Sequence, residues 1–145
     1  MKRSSFFIRV CVAIVIATLP ASANIINVPD DCPTIQEGID ASADGDTVLV
    51  QPGTYMENIG FGGRNIVLGS LFLTTRDTSY ISVTVIWHAN EDFVVKFENG
   101  EDSTAIITGF TIKNGPSEEP PSGGIGCIEY SSPIIDHNII WGYSD

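Results

Sequence analysis

Short apolar stretches dominate the chain from residue 47 onward, and each is rich in Val, Ile, Phe or Thr. Residues that favour turns, mainly Asn, Gly, Asp and Ser, separate these stretches. Apolar, β-branched runs bounded by such residues predict β-strands. The predicted strands are 47–50, 65–68, 83–87, 93–97, 104–107, 110–112, 126–130 and 133–140.

Part of this pattern repeats along the chain. The sequence TAIITGFTI (104–112) aligns with SPIIDHNII (132–140) at an offset of 28 residues. The aligned pairs are Ile106 with Ile134, Ile107 with Ile135, Thr111 with Ile139, and Ile112 with Ile140. The segment PSEEPPS (116–122) has the composition of an inserted loop, and without it the period is near 20 residues. Periodicity of this size predicts a solenoid, in which each repeat buries its apolar face against the next.

A single helix is predicted, over residues 34–43. Thr34 and Glu37 have the spacing of a capping box, Ile35 and Ile39 share one face of the helix, and Gly45 can end it. A helix of this length is marginal alone, so its apolar face must pack against other residues. We expect it to cover the exposed end of the first repeat, which makes Thr34, Ile35, Glu37 and Ile39 a structural cap.

Residues 1–23 have the features of a secretory signal peptide. Three basic residues precede an apolar run over 10–19, and the small residues Ala21-Ser22-Ala23 form an A-x-A cleavage site. The run is too short to span a bilayer, which needs about 20 residues. The sequence therefore predicts a secreted or cell-surface protein with no membrane span after cleavage.

The chain after residue 23 is strongly acidic. It contains four basic and 18 acidic side chains, a formal net charge of −14. Such a charge repels phosphate backbones and argues against nucleic acid as a partner. Cys32 and Cys127 remain after signal cleavage, and they can form a disulfide or act as small buried apolar residues; the apolar alternation around Cys127 favours a core position for it.

The stretch INVPDDCPTIQEGIDASADGDTVLVQPGTYMENI (26–59) resembles the start of right-handed parallel β-helix proteins of the pectin-lyase-like group. In that group a TIQ-x-AI helix caps the fold, and a GDTVLV-x-PGTY-x-E segment follows it. The later stretches NIVLGS and GFTIKNG resemble further turns of such a fold. The resemblance implies an all-β fold, a right-handed parallel β-helix (solenoid) with a short N-terminal capping α-helix.

The predicted organisation has three parts. Residues 1–23 are the signal peptide, 24–46 the N-terminal cap, and 47–145 the parallel β-helix coils. No closing cap follows the last predicted strand, and solenoids need caps at both ends. We therefore expect either further chain or a partner to cover the open C-terminal coil.

The catalytic residues that the resemblance implies are not found. Pectin methylesterases, which share the N-terminal pattern, use a Gln, two Asp and an Arg, but this chain has no Gln after Gln51 and no Arg after Arg76. A lyase-like cluster of acidic residues with an Arg or Lys base is not evident either. No catalytic, cofactor-binding or metal-binding residue is assigned.

Four aromatic residues near the C-terminal half could stack on sugars. Trp87, Trp141 and Tyr143, with Tyr130, can form a stacking platform if their rings face outward, whereas burial in the core is the alternative. Trp87, Trp141 and Tyr143 are the predicted glycan contacts.

The remaining candidates have simpler interpretations. Acidic pairs at Asp30-Asp31, Asp44/Asp46, 91–92, 101–102 and 118–119 could offer oxygen ligands to Ca²⁺, but solvated turns explain them as well. Asp136-His137 could supply a general base, yet adjacent residues on a strand point to opposite faces.

Two functions therefore stay open from the sequence. The first is a non-catalytic scaffold for glycan binding or adhesion, with a polysaccharide or a cell-surface glycan as partner. The second is a polysaccharide-active enzyme whose catalytic coils lie beyond this chain.

Overall fold

A computed structural model describes residues 22–88, 92–115 and 123–142. The predicted signal peptide, up to residue 21, lies outside the described residues, as do the predicted loop 116–122 and the predicted glycan contact Tyr143.

The described strands form three parallel sheets. The five-stranded sheet has the order β1-β2-β5-β8-β11, the four-stranded sheet β12-β9-β6-β3, and the three-stranded sheet β10-β7-β4. The bounds are β1 Ile25–Val28, β2 Thr47–Val50, β3 Gly53–Tyr55, β4 Ile59–Gly60, β5 Val67–Ser70, β6 Thr84–His88, β7 Phe93–Phe97, β8 Ile106–Thr108, β9 Thr111–Asn114, β10 Gly123–Cys127, β11 Ile134–Asp136 and β12 Ile139–Trp141.

The 28-residue repeat matches the register of these sheets. Ile106 pairs with Ile134 and Ile107 with Ile135 where β8 lies beside β11. The Thr111–Ile139 and Ile112–Ile140 pairs occur where β9 lies beside β12. The residue equivalences predicted from the repeat are therefore confirmed as strand partners.

The predicted fold class, an all-β right-handed parallel β-helix with one capping helix, is wrong. The described residues form three separate parallel sheets together with three short helices: α1 (Ile35–Ala41), α2 (Phe72–Thr75) and α3 (Ser79–Val83). The segment between β5 and β6 is where the expectation fails, because no helical pattern was expected there.

Helices α2 and α3 form from residues that favour strands. The segment 72–83 is rich in Thr, Ile and Val, whose branched side chains lower helix propensity. Tertiary contacts override this preference. Phe72 and Ile81 are buried, and the Leu71 carbonyl accepts hydrogen bonds from the Thr75 amide and the Thr75 hydroxyl.

The predicted strand 133–140 is in fact two strands. Between β11 and β12, His137 adopts a left-handed backbone conformation with φ of 49°. This conformation turns the chain from the five-stranded sheet into the four-stranded sheet. Apolar content alone did not reveal the break, because both halves are Ile-rich.

The core lies where the inner faces of the sheets meet. Leu68, Ile107, Ile86, Ile112 and Phe97 are all fully buried, and they come from strands of all three sheets. These side chains form one contiguous cluster. Burying apolar surface stabilises a fold by about 25 cal/mol per Å², so this cluster is the main source of stability.

Helix α1 covers one end of this core. Ile35 and Ile39 are fully buried. A Cβ atom at Gly38 would lie 3.0 Å from Cγ1 of Val48, so the helix backbone approaches β2 closely. The apolar stripe of the helix therefore packs on the first strands.

The start of α1 is fixed by side chains from two segments. The Thr34 hydroxyl accepts a hydrogen bond from the Glu37 amide at 3.2 Å. The Glu57 carboxylate accepts bonds from the amides of Ile35 and Gln36, so a residue distant in sequence satisfies two donors at the helix N-terminus. The Thr34 half of the expected capping box is therefore confirmed, and Glu57 satisfies two further amides of the first turn.

Gln36 covers the free edge of β4. Its side-chain amide donates to the Gly60 carbonyl at 3.2 Å and accepts from the Gly60 amide at 2.9 Å. A side-chain amide offers the same donor and acceptor as a backbone peptide, so Gln36 takes the place of a neighbouring strand.

Two acidic residues expected in solvated turns are buried instead. Asp46 is 5% exposed and accepts hydrogen bonds from the amides of Asn24 and Ala43. Glu101 is fully buried and accepts bonds from the Gly63 and Asn99 amides and the Ser131 hydroxyl. Each of these carboxylates links loop segments that are separated along the chain.

Replacing Glu101 with Gln should destabilise the protein at neutral pH by about 1–2 kcal/mol, because charged hydrogen bonds are lost. Burial raises the pKa of Glu101, but the bonds from Ser131, Asn99 and Gly63 outweigh it and hold that pKa below its ordinary value. A carboxyl group whose pKa is lower in the folded than in the unfolded state stabilises the fold at pH values above the unfolded-state pKa. This stabilisation is lost as the pH falls through the folded-state pKa.

Urea unfolding between neutral pH and about pH 3 measures this effect. The wild-type protein should lose stability on acidification, and Glu101→Gln should reduce that loss. The exposed residue Glu129 supplies the control, because Glu129→Gln removes a carboxylate that makes none of these hydrogen bonds. Equal pH profiles for wild type and Glu101→Gln would contradict the proposed role of Glu101.

Candidate functional site

The outer face of the four-stranded sheet carries a row of two tryptophans and a lysine. Trp87 of β6 pairs in register with Lys113 of β9, and Lys113 pairs with Trp141 of β12. On the same strands Ile86 and Ile112 are fully buried, so the next residue of each strand points outward. We call Trp87, Lys113 and Trp141 the Trp–Lys–Trp row.

The row is open to solvent along its length. Trp87 is half-buried, Lys113 is exposed, and Trp141 is 61% exposed. Neighbouring strands lie about 4.8 Å apart, so the two tryptophans are separated by about 10 Å with the lysine between them. An extended ligand that crosses the strands can contact all three side chains.

Helix α3 borders the row on one side. The Thr111 hydroxyl, on the same outer face, donates a hydrogen bond to the Ile81 carbonyl at 2.8 Å. Ile139, the register partner of Thr111 on β12, is 42% exposed and extends the apolar surface next to the row. The row lies on the exposed face of a sheet, and we call this surface a shallow platform. No enclosed pocket occurs within the residues that the structure describes.

Lys113 differs in its contacts from the other basic side chains after residue 23. Lys96 forms ion pairs with Asp92 and Glu98, and Arg64 lies 3.8 Å from Asp40. Arg76 lies over the ring of Phe72, 5.7 Å from its centroid. Lys113 has no carboxylate within ion-pair distance among the described residues, although it stands in a strongly acidic chain.

The structure thus places two of the predicted glycan contacts together and adds a third residue. Trp87 and Trp141 share one row, whereas Tyr130 lies in the turn after β10 and is 98% exposed. Lys113 was not predicted. The repeat could have shown it, because the alignment that pairs Ile112 with Ile140 also pairs Lys113 with Trp141.

Asp136 and His137 form a second polar arrangement. A distance of 2.6 Å joins the His137 Nδ1 and Asp136 Oδ2 atoms, and both side chains are about half exposed. The expectation that these side chains point to opposite faces is wrong, because the left-handed backbone of His137 ends the strand and turns its ring back. The ring packs against Phe72, with centroids 4.8 Å apart.

The described residues contain no group of three or more His, Cys, Asp or Glu side chains placed to hold a metal ion. The acidic residues at 91, 118 and 119 lie outside them. Cys32 and Cys127 are free thiols. Cys127 is exposed, so the core position expected for it is wrong. Loss of water on the side of the thiol that faces the protein, together with the nearby Glu101 carboxylate, raises the pKa of Cys127.

Within the described ranges no helix is both long and apolar enough to cross a bilayer. Comparisons of the chain with known protein families, with curated proteins and with solved structures found no match. The resemblance to the pectin-lyase-like group therefore stays a prediction from the sequence.

Proposed function

We propose that this is a secreted or cell-surface, non-catalytic protein that binds glycans through the Trp–Lys–Trp row. The in-register placement of Trp87, Lys113 and Trp141 on one exposed face supports the proposal. The signal-peptide features of residues 1–23 support the location.

The chemistry of the row suits sugars. The faces of pyranose rings carry C–H groups that pack on aromatic rings, while their hydroxyl groups stay in water. Tryptophan offers the largest apolar area of any side chain and keeps a polar N–H at its edge. A shallow platform admits a polysaccharide along its length, whereas most small ligands require a concave pocket.

The spacing of the row also suits an extended glycan. Each strand advances the row by about 4.8 Å, and one pyranose unit advances an extended polysaccharide by a similar distance. Two sugar units can therefore stack on Trp87 and Trp141 while the unit between them lies over Lys113. An ordered sheet fixes this spacing before the ligand arrives, which lowers the entropic cost of binding.

Replacing Trp141 with Ala should weaken glycan binding about tenfold, because one of the two aromatic stacking contacts of the row is lost. Glycan arrays should first identify a bound oligosaccharide, and isothermal titration calorimetry then gives the Kd of wild type and variant. Trp141 is largely exposed, so the thermal unfolding midpoint should change little.

Tyr130 supplies a matched control, since it is an exposed aromatic residue outside the row. Tyr130→Asn removes the ring and keeps a residue that tolerates the left-handed φ of 63° at this position. This variant should bind as wild type does. Equal losses in both variants would contradict a specific role for the row.

A polysaccharide-active enzyme is the second proposal, and the Asp136–His137 pair favours it. A carboxylate bonded to Nδ1 orients an imidazole and leaves Nε2 free to take a proton. Incubation with pectin, alginate and other polyuronates, with and without Ca²⁺, distinguishes the proposals. Unsaturated products or released methanol that disappear in His137→Ala would overturn the non-catalytic function.

A further inference from the structure

We infer that the Trp–Lys–Trp row prefers a glycan in which one acidic sugar is flanked by neutral sugars. This inference rests on the proposed glycan binding and adds the class of ligand. It is carried by the position of Lys113 and by the lack of an ion-pair partner for it among the described residues.

Lys113 is placed to bind an anion. Its two register partners are tryptophans, so its own neighbours in the row supply no carboxylate. The described structure gives it no ion pair, and its side chain is exposed. A ligand that spans the row brings the sugar between the two stacked units over this ammonium group, and a carboxylate on that sugar completes an ion pair.

The flanking positions favour neutral sugars. Trp87 and Trp141 offer apolar faces, and neither provides a charge to a second carboxylate. Stacking on these rings removes part of a sugar's surface from water, which is costly for an ionised group without a partner. An acidic unit at either end would therefore lose binding energy.

The surface beyond the row strengthens this preference. The chain after residue 23 carries four basic against 18 acidic side chains, and three of the four basic groups are engaged elsewhere. The Debye length is about 8 Å at physiological ionic strength, shorter than the row of about 10 Å. Lys113 thus attracts one negative charge nearby, while the acidic surface of the protein repels further negative charges along a polyanion.

Three hexasaccharides test the inference by calorimetry on the secreted chain at physiological salt. The first alternates glucuronic acid with N-acetylglucosamine, the second contains only N-acetylglucosamine, and the third contains only galacturonic acid. We expect the alternating sugar to bind about three- to fivefold more tightly than the neutral one, the range of an exposed ion pair, and more tightly than the homopolymer.

Two variants assign the preference to Lys113. Lys113→Gln should abolish the preference for the alternating sugar over the neutral one, measured as the ratio of the two affinities. Lys113→Arg keeps the charge and should keep the preference. High salt should reduce the preference in wild type without affecting Lys113→Gln.

The outcomes separate the inference from the proposed function. If the homopolymer binds most tightly, or if Lys113→Gln keeps the preference or weakens all sugars equally, the inference is wrong and glycan binding stands. If none of the three sugars nor any member of a broad glycan array binds, the proposed function fails and the inference with it.

Discussion

Replacing Gly109 with Ala should lower the free energy of unfolding by about 2–5 kcal/mol. Gly109 follows directly after β8 and has a φ of 86°, a region that L side chains rarely adopt. A left-handed residue with a side chain costs about 1–2 kcal/mol, and overpacking adds about 1–3 kcal/mol.

The overpacking arises because other side chains fill the space beside Gly109. An added Cβ atom would overlap the Ser70 hydroxyl and would lie 2.9 Å from Cβ of Phe72. Phe72 is buried and stacks on His137, so it has little freedom to move. The expected loss therefore has a conformational part and a packing part.

Gly45→Ala separates the two parts. Gly45 has a similar φ of 88°, but an added Cβ there meets no atom within 4 Å. Urea unfolding should show the conformational cost alone at Gly45 and the larger sum at Gly109. Equal losses would mean that the space beside Gly109 is not filled as described. Ser70→Ala in the Gly109→Ala background should recover part of the packing cost.

Replacing Phe61 with Ala should cost about 3–5 kcal/mol, the range for removing a large buried side chain. Phe61 and Phe97 are both fully buried, and their ring centroids lie 4.2 Å apart. The Phe61 amide also donates to the Lys96 carbonyl, so the residue is held beside β7. Truncation would leave a cavity that the flanking backbone cannot close.

Phe61→Leu is the matched control, because it keeps most of the volume and should cost less than about 2 kcal/mol. Chemical denaturation measures both variants. A double-mutant cycle with Phe97→Leu then gives the coupling of the two rings, expected at about 0.5–1.5 kcal/mol. A loss below 1 kcal/mol for Phe61→Ala would contradict the buried position of this ring.

The strand content could be predicted because local composition and tertiary role agree. The β7 segment was placed at its observed bounds, and the repeat between 104–112 and 132–140 gave the strand partners correctly. An apolar, β-branched run between turn residues has few stable structures in water other than a β-strand. Helix α1 was found for a similar reason, since Thr34 and the Ile35–Ile39 spacing act locally.

The errors arose where distant contacts decide the structure. Helices α2 and α3 depend on burial of Phe72 and Ile81, which the local pattern does not show. The carboxylate that completes the cap of α1 comes from Glu57, more than twenty residues away. Glu101 is buried because donors from two other turns converge on it. The acidic residues around it in the sequence suggested a solvated turn instead.

The candidate site was partly predictable. Residue type alone indicated Trp87 and Trp141, because exposed aromatic residues suit sugars. Their alignment, and the place of Lys113 between them, depend on the register of β6, β9 and β12. Register is a long-range property, and the repeat indicates it for β9 and β12 but not for β6.

Backbone hydrogen bonds, and not the length of chain between strands, set the distances within the Trp–Lys–Trp row. Lys113 follows Trp87 by 26 residues and Trp141 follows Lys113 by 28, yet each step across the sheet is one strand wide. Insertions or deletions in the connecting segments can therefore accumulate without altering the row. Because the four-stranded sheet fixes their spacing, the side chains of the row can evolve independently of the loops beside them.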